Sequence, residues 1–330
     1  MQAVAVATRA FPVRRLLLVL GVVATVYAIV LLVWGDSPRA QLSRLWSWAG
    51  LQAALLCLLN YLLRGLRWRL WMAQHGRHFG WRQGLRLYLA GYAFTPTPGN
   101  VGEAMRGLLL ARHPLSTAQS LAIFGAERLA DLLALLLMCL PALWWALGHG
   151  VVQDAWQRLP ASTASAAGAA LAVGLALLLA AGWVLRARAA AAAARIGWLR
   201  DAWQCLALRP HQWFGLTACA WLAQGVAVWL VCREMGLGLD LPSAAGFYAV
   251  AMVAGALSAL PAGLGGMEVV LTGLLVAAGA AAATAVGITV LVRLLTLWLA
   301  VGIGLAALLY SAAIRRDISF RQQPDRRPEG

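Results

Sequence analysis

Residues 86–112 read RLYLAGYAFTPTPGNVGEAMRGLLLAR, and residues 241–279 read LPSAAGFYAVAMVAGALSALPAGLGGMEVVLTGLLVAAG. In both, apolar arms flank a Pro/Gly-rich centre. An arm such as Leu87–Phe94 is too short for a hydrocarbon core that takes about 17–25 helical residues to cross. Irregular backbone is tolerated at membrane depth only where protein or a water-filled cavity surrounds it. Each stretch therefore predicts a re-entrant hairpin of two half-helices. The two also match in detail. Pro96-Thr-Pro-Gly-Asn-Val-Gly-Glu103 aligns without a gap on Pro261-Ala-Gly-Leu-Gly-Gly-Met-Glu268, and each Glu is followed at the same distance by an Arg-Leu pair, Arg128 or Arg293. These spacings predict an internal repeat with copies at about 60–147 and 229–313.

Working outward, the chain has 330 residues, 62% hydrophobic and 12% charged, against roughly 45–50% apolar and 25% charged in a soluble domain. This balance excludes an ordinary water-soluble fold. The apolar runs predict six full spans: 16–34, about 45–63, about 117–147, about 163–185, about 212–232 and about 284–312. The first is too long for the h-region of a signal peptide, and no small-residue cleavage site follows it, so it reads as retained. The expected fold is all-α: a polytopic bundle of about six spans and two re-entrant hairpins. Three crossings separate the hairpins, an odd number, which gives the two copies opposite orientation. The result is an inverted-topology repeat of the kind found in many transporters.

The formal charge is +15, carried entirely by arginine. Such a balance implies nucleic acid only when it lies on a soluble module. Here its placement follows the positive-inside rule. Arg64, Arg67, Arg69, Arg77, Arg82 and Arg86 read as one cytoplasmic segment, and Arg186, Arg188, Arg195 and Arg200 as another. Only Arg39, Arg44, Arg158 and Arg233 fall outside. Both termini are thus expected in the cytoplasm, with a single membrane domain over 1–316 and a polar tail over 317–330. The five cysteines, Cys57, Cys139, Cys205, Cys219 and Cys232, show no metal-ligand spacing and read as packed thiols.

The rare charges inside spans are the candidate site. Glu127, Arg128 and Asp131 lie about ten residues into the third span, roughly 15 Å deep at 1.5 Å per residue, and Arg293 lies at similar depth in the last. Charges there cost at least about 2.5–3.5 kcal/mol each on insertion scales, so they pair or line a polar pathway. Two readings stand: an ion-pair network that holds the repeats together, or a site for a charged substrate. Glu103 and Glu268 open the second half-helix of each hairpin, where they cap it, pair with an arginine or handle a cation. The free N–H groups of those helix starts suit a phosphate. Gly99, Gly102, Gly263 and Gly265 serve the tight turns. His75, His78 and His113 read as surface histidines, no nucleotide-binding loop follows a strand, and no cofactor or metal is expected. Residues around Ala202–Leu208, with Arg200, Trp203 and Arg209, read as an interfacial amphipathic stretch.

Arg64-Gly-Leu-Arg-Trp-Arg, then Pro98-Gly-Asn-Val-Gly-Glu103 with Arg106, Glu127-Arg128 with Asp131, and Pro261-x-Gly-x-Gly-x-x-Glu268 together resemble the transmembrane flippase-like region of lysylphosphatidylglycerol synthases and of related stand-alone membrane proteins. The resemblance covers nearly the whole chain. In the two-part members of that family, the membrane region translocates aminoacylated phosphatidylglycerol and a soluble domain attaches the amino acid. Only 14 residues follow Arg316, so the resemblance does not imply the synthase activity here.

The leading expectation is a non-enzymatic, flippase-like transporter in a bacterial-type inner membrane. It would move a polar-headed, phosphate-bearing lipid, aminoacylated or glycosylated, between leaflets. Arg128 and Arg293 would hold the phosphate, with Glu103, Glu268, Glu127, Asp131 and Arg106 nearby. One rival is an intramembrane lipid-modifying transferase with Glu127 or Asp131 as general base. Another is a membrane partner for a separate cytoplasmic synthase.

Overall fold

A computed structural model describes residue 25 and residues 42–78, 80–96, 103, 104, 106, 115–150, 197–258 and 260–321. Among the described residues the secondary structure is helical: α1 (Trp48–Gln74), α2 (Trp81–Ala90), α3 (Thr117–Met138), α4 (Leu140–Gly148), α5 (Gly197–Ala207), α6 (Pro210–Glu234), α7 (Leu241–Leu257), α8 (Gly266–Ala277), α9 (Ala282–Arg293) and α10 (Leu299–Arg321). Helices are forced by the solvent, since lipid offers no partner to an unpaired backbone N–H or C=O.

Four helical stretches are long and apolar enough to cross a membrane: Trp48–Gln74, Thr117–Gly148, Pro210–Glu234 and Ala282–Ser311. They correspond to the second, third, fifth and sixth expected spans. Apart from Thr25, spans 16–34 and 163–185 lie outside the described residues, as do Gly99, Gly102, His113 and most of the 317–330 tail. One boundary is corrected. The second span was expected to end near residue 63, but α1 continues unbroken to Gln74, and its extra turns carry Arg64 and Arg67 inside the bundle.

Local signals set the helix starts. The Ser47 side chain accepts from the Gly50 N–H, Ser116 and Gln119 form a capping box at α3, and Asp240 accepts from Ser243 N–H at α7, each satisfying donors that a helix start leaves free. Pro210 and Pro242 stand where a missing N–H costs nothing.

Packing is built around α1, α3, α6 and α7. α1 lies along α6, α7 packs on α3, α4 and α6, and α10 crosses α2 and the 3-10 turn Gly91–Phe94 that extends it. Small residues bring backbones close, as hydrophobic attraction between helices is absent in lipid. A Cβ on Gly225 would stand 2.7 Å from that of Ala245, and one on Gly246 would stand 2.6 Å from the Ala142 nitrogen. Leucines such as Leu55, Leu59, Leu133 and Leu137 point outward, the apolar rim expected against acyl chains.

α7 and α8 form an antiparallel pair joined by the turn Pro261–Gly263. Gly263 has φ 67 and Gly265 φ 82, left-handed values that favour glycine, in keeping with the tight turn read from the sequence. Gly263 also packs on Gly255, where an added Cβ would sit 3.0 Å from the Gly255 carbonyl carbon. Between α9 and α10 the helix widens into a π-helical turn at Leu294–Trp298. The Tyr61 hydroxyl lies 3.2 Å from the Leu295 carbonyl and 3.0 Å from that of Thr296, giving the widened turn a polar partner from α1.

A buried ion-pair network beside a central cavity

Arg64 and Arg67 are three residues apart on α1, and Glu127 and Asp131 four apart on α3, so each pair shares one helix face. The two faces meet. Arg64 donates to Asp131 Oδ2 at 2.8 Å and Arg67 to Asp131 Oδ1 at 2.7 Å. Trp221 Nε1 from α6 adds a third bond to that carboxylate at 3.2 Å. Arg67 also donates to Thr217 at 2.8 Å, and its other terminal nitrogen stands 3.9 Å from Glu127. Arg64 and Arg67 are buried. The sequence reading placed both in a cytoplasmic segment without assigning them a partner; the structure buries them in the protein, where a carboxylate on another helix balances them.

Arg106 and Glu103 extend the network. Arg106 bonds Glu127 at 3.0 and 3.2 Å and also bonds Glu103. Its guanidinium lies 4.3 Å from the centre of the Tyr88 ring and 5.5 Å from that of Tyr92, a cation–π arrangement that helps hold a charge away from water. Gly91 makes room for it, because a Cβ there would meet Arg106 Nε at 2.0 Å. Glu103 accepts from Thr95 at 2.8 Å. Arg128 approaches Asp131 at 3.1 Å and Glu103 at 3.6 Å.

The second hairpin carries a matching pair. Arg293 Nε donates to Glu268 Oε1 at 2.6 Å, and its Nη2 donates to the Ala262 carbonyl at 3.0 Å. Ala262 has φ 54, an unfavourable value for a residue with a Cβ, and it aims this carbonyl at the guanidinium. Glu103 with Arg128 and Glu268 with Arg293 are thus contacts at one identical sequence spacing. Of the roles open to the two glutamates, the geometry is that of pairing with arginine.

Between these groups lies a cavity of about 400 Å³. Arg128, Arg293, Glu103, Asp131 and Gly263 line it, so the structure brings together the charged candidates of both sequence stretches. Glu268 reaches it through Arg293. Glu127 and Arg106 do not line it; they border a separate void of about 10 Å³ near Ser120. Gly265 serves the turn. The sequence reading missed Arg64, Tyr92, Thr95 and Trp221, which also line the large cavity. Arg64 and Arg67 share one helix face, but nothing local separates that pattern from arginines met by water. Much of the rest of the wall is apolar, with Leu132, Leu135, Met252 and Val253 among its residues, beside the polar Gln224, Tyr248 and Thr296. The cavity can therefore hold a molecule with one anionic end and one hydrocarbon end.

The remaining polar groups fit a peripheral role. α5 buries Ala202 and Cys205 and exposes Trp198 and Trp203, the amphipathic pattern expected of that stretch. Burial, with Asp201 and Glu127 adding to it, pushes the Cys205 thiol up to about 12.

A family model described as the lysylphosphatidylglycerol synthase TM region matches residues 17–304. No curated protein matches the chain.

Proposed function

Since the chain belongs to the lysylphosphatidylglycerol synthase TM region family, and so is an integral membrane protein with a lipid-related role, we propose that it is a flippase-like transporter of a polar-headed lipid. The observation that carries this reading is the central cavity, whose wall combines the charged Arg64, Arg128, Arg293, Glu103 and Asp131 with apolar residues such as Leu132, Leu135, Met252 and Val253. An amphiphile needs both surfaces during passage. A pocket for a water-soluble ion would not need the second.

The fuller architecture belongs to the same proposal: six spans, two re-entrant hairpins in an inverted repeat, and both termini on the cytoplasmic face of an inner membrane. Support for the repeat comes from the two equally spaced Glu–Arg contacts and from the strong turn at Pro261–Gly263. Inverted halves rocking about a midplane site would give alternating access. Transport rather than catalysis is favoured because Glu127 and Asp131, the general-base candidates of the transferase reading, are both tied to arginines. A carboxylate whose oxygens are engaged by guanidinium groups is not free to reach a substrate. A separate synthase could deliver the lipid at the cytoplasmic face.

The test is leaflet exchange of labelled phospholipids in vesicles carrying the purified protein. Exchange should require the protein and should fall about 10-fold or more when Arg128 and Arg293 are both changed to Ala, the order expected for loss of buried charge contacts. Undiminished exchange of every lipid by the double variant would sink this mechanism.

A further inference from the structure

The network around the cavity is not electrically balanced. Four arginines, Arg64, Arg67, Arg106 and Arg128, share three carboxylates, Glu103, Glu127 and Asp131. Arg293 and Glu268 neutralise each other. Glu103 and Asp131 are the carboxylates on the cavity wall, and its uncharged polar residues, such as Gln224 and Tyr248, bond each other. One positive charge is left over among the described residues.

The surplus can be located. Asp131 already accepts from Arg64, Arg67 and Trp221, and Glu103 from Arg106 and Thr95. Arg128 is the late arrival at both. Its Nε and Nη2 are buried and donate no hydrogen bond, while its side chain as a whole lines the cavity and is 32% exposed, against at most 7% for the carboxylates beside it. An unbalanced charge in a low-dielectric interior is costly unless a counter-charge arrives. A ligand with one negative charge and acceptor oxygens removes that cost. A ligand whose head is net positive increases it, and finds no carboxylate free of arginine.

Resting on the lipid-transport reading, we infer that the cavity selects a lipid whose head is a phosphate-ester monoanion without a compensating ammonium. Phosphate oxygens meet the exposed part of the Arg128 side chain, beside Arg64 and Arg293 on the same wall, and net-cationic aminoacyl heads are disfavoured. Substrate choice in this chain is therefore set by charge balance.

Binding tests this separately from transport. The full chain in a non-ionic detergent is titrated with dihexanoyl phosphatidylglycerol, its lysyl ester, glycerophosphoglycerol and inorganic phosphate, and the thermal unfolding midpoint is followed by tryptophan fluorescence. The anionic lipid should stabilise the protein saturably at about tenfold lower concentration than the lysyl ester, a modest effect for heads two unit charges apart in a partly screened site. Arg128→Gln should erase that ratio, and Arg128→Lys should keep part of it. Equal or tighter binding of the lysyl ester to the wild-type chain overturns the inference, whatever the variants do. If glycerophosphoglycerol or phosphate alone matches the lipid, the anion preference holds but the ligand is a soluble ester, which counts against lipid transport. Exchange in vesicles reads the transport proposal independently: preferential binding without exchange leaves the charge selection standing and removes the flippase reading.

Discussion

Arg64 in α1 and Asp131 in α3 meet at 2.8 Å in the interior of the bundle, 67 positions apart in the chain. Asp131 simultaneously binds Arg67, so one carboxylate compensates two buried guanidinium groups. The pairing makes α1, α3 and α6 a single electrostatic unit in the wall of the cavity.

Asp131→Ala should therefore be among the most damaging substitutions in the chain. Removing one partner of a buried pair costs about 3–5 kcal/mol, because the remaining charge stays buried. The exposed pair Arg44 and Glu234, at 3.3 Å with 50% and 27% of the side chains open, supplies the contrast: Glu234→Ala should cost about 0–1 kcal/mol. Thermal unfolding of both variants in the same detergent makes the comparison, and similar losses would mean that the network is hydrated.

Gly91→Ala probes the seat of Arg106. The new methyl group would overlap Arg106 Nε, Cγ and Cδ at 2.0–2.6 Å, and Arg106 cannot swing aside without leaving Glu103, Glu127 and the Tyr88 ring. Overpacking of this kind costs about 1–3 kcal/mol. The variant should unfold at lower temperature, whereas Gly125→Ala, which meets nothing within 4 Å, should not.

The turn between α7 and α8 allows a prediction of opposite signs. Gly263→Ala places a Cβ at φ 67 against Gly255 and should destabilise by about 1–2 kcal/mol from the left-handed conformation alone. Ala262→Gly relieves φ 54 but adds freedom to the unfolded chain, so it should stabilise by about 1 kcal/mol or less. Unfolding midpoints moving in the same direction would refute the turn geometry.

Alkaline pH offers a fourth check at Cys205. Its thiol is held up to about 12 from an ordinary 9.0 by burial, so the folded state keeps a proton that the unfolded state has lost. Its contribution is fully present below pH 9 and disappears as pH rises through the folded value. The native protein should resist maleimide at Cys205 near neutral pH, and Cys205→Ala should flatten part of the stability loss between about pH 9 and 12. Rapid neutral-pH labelling of Cys205 in the folded protein would contradict the burial.

The sequence by itself determined the membrane class and the extents of Thr117–Gly148 and Pro210–Glu234, because lipid demands long apolar helices whose backbone bonds are internal. It also determined the likeness of Glu103–Arg128 and Glu268–Arg293, since spacing survives in the one-dimensional record. Arg64 and Arg67 were beyond its reach. An arginine following an apolar run has the same local pattern whether water or a distant carboxylate receives its charge, and only the packing of α1 on α3 and α6 supplies Asp131. The tertiary structure likewise decided that Arg106 lies over Tyr88 and that Arg128 arrives at carboxylates already taken. Charge balance is a sum over helices far apart in the chain, and folding alone brings its members together.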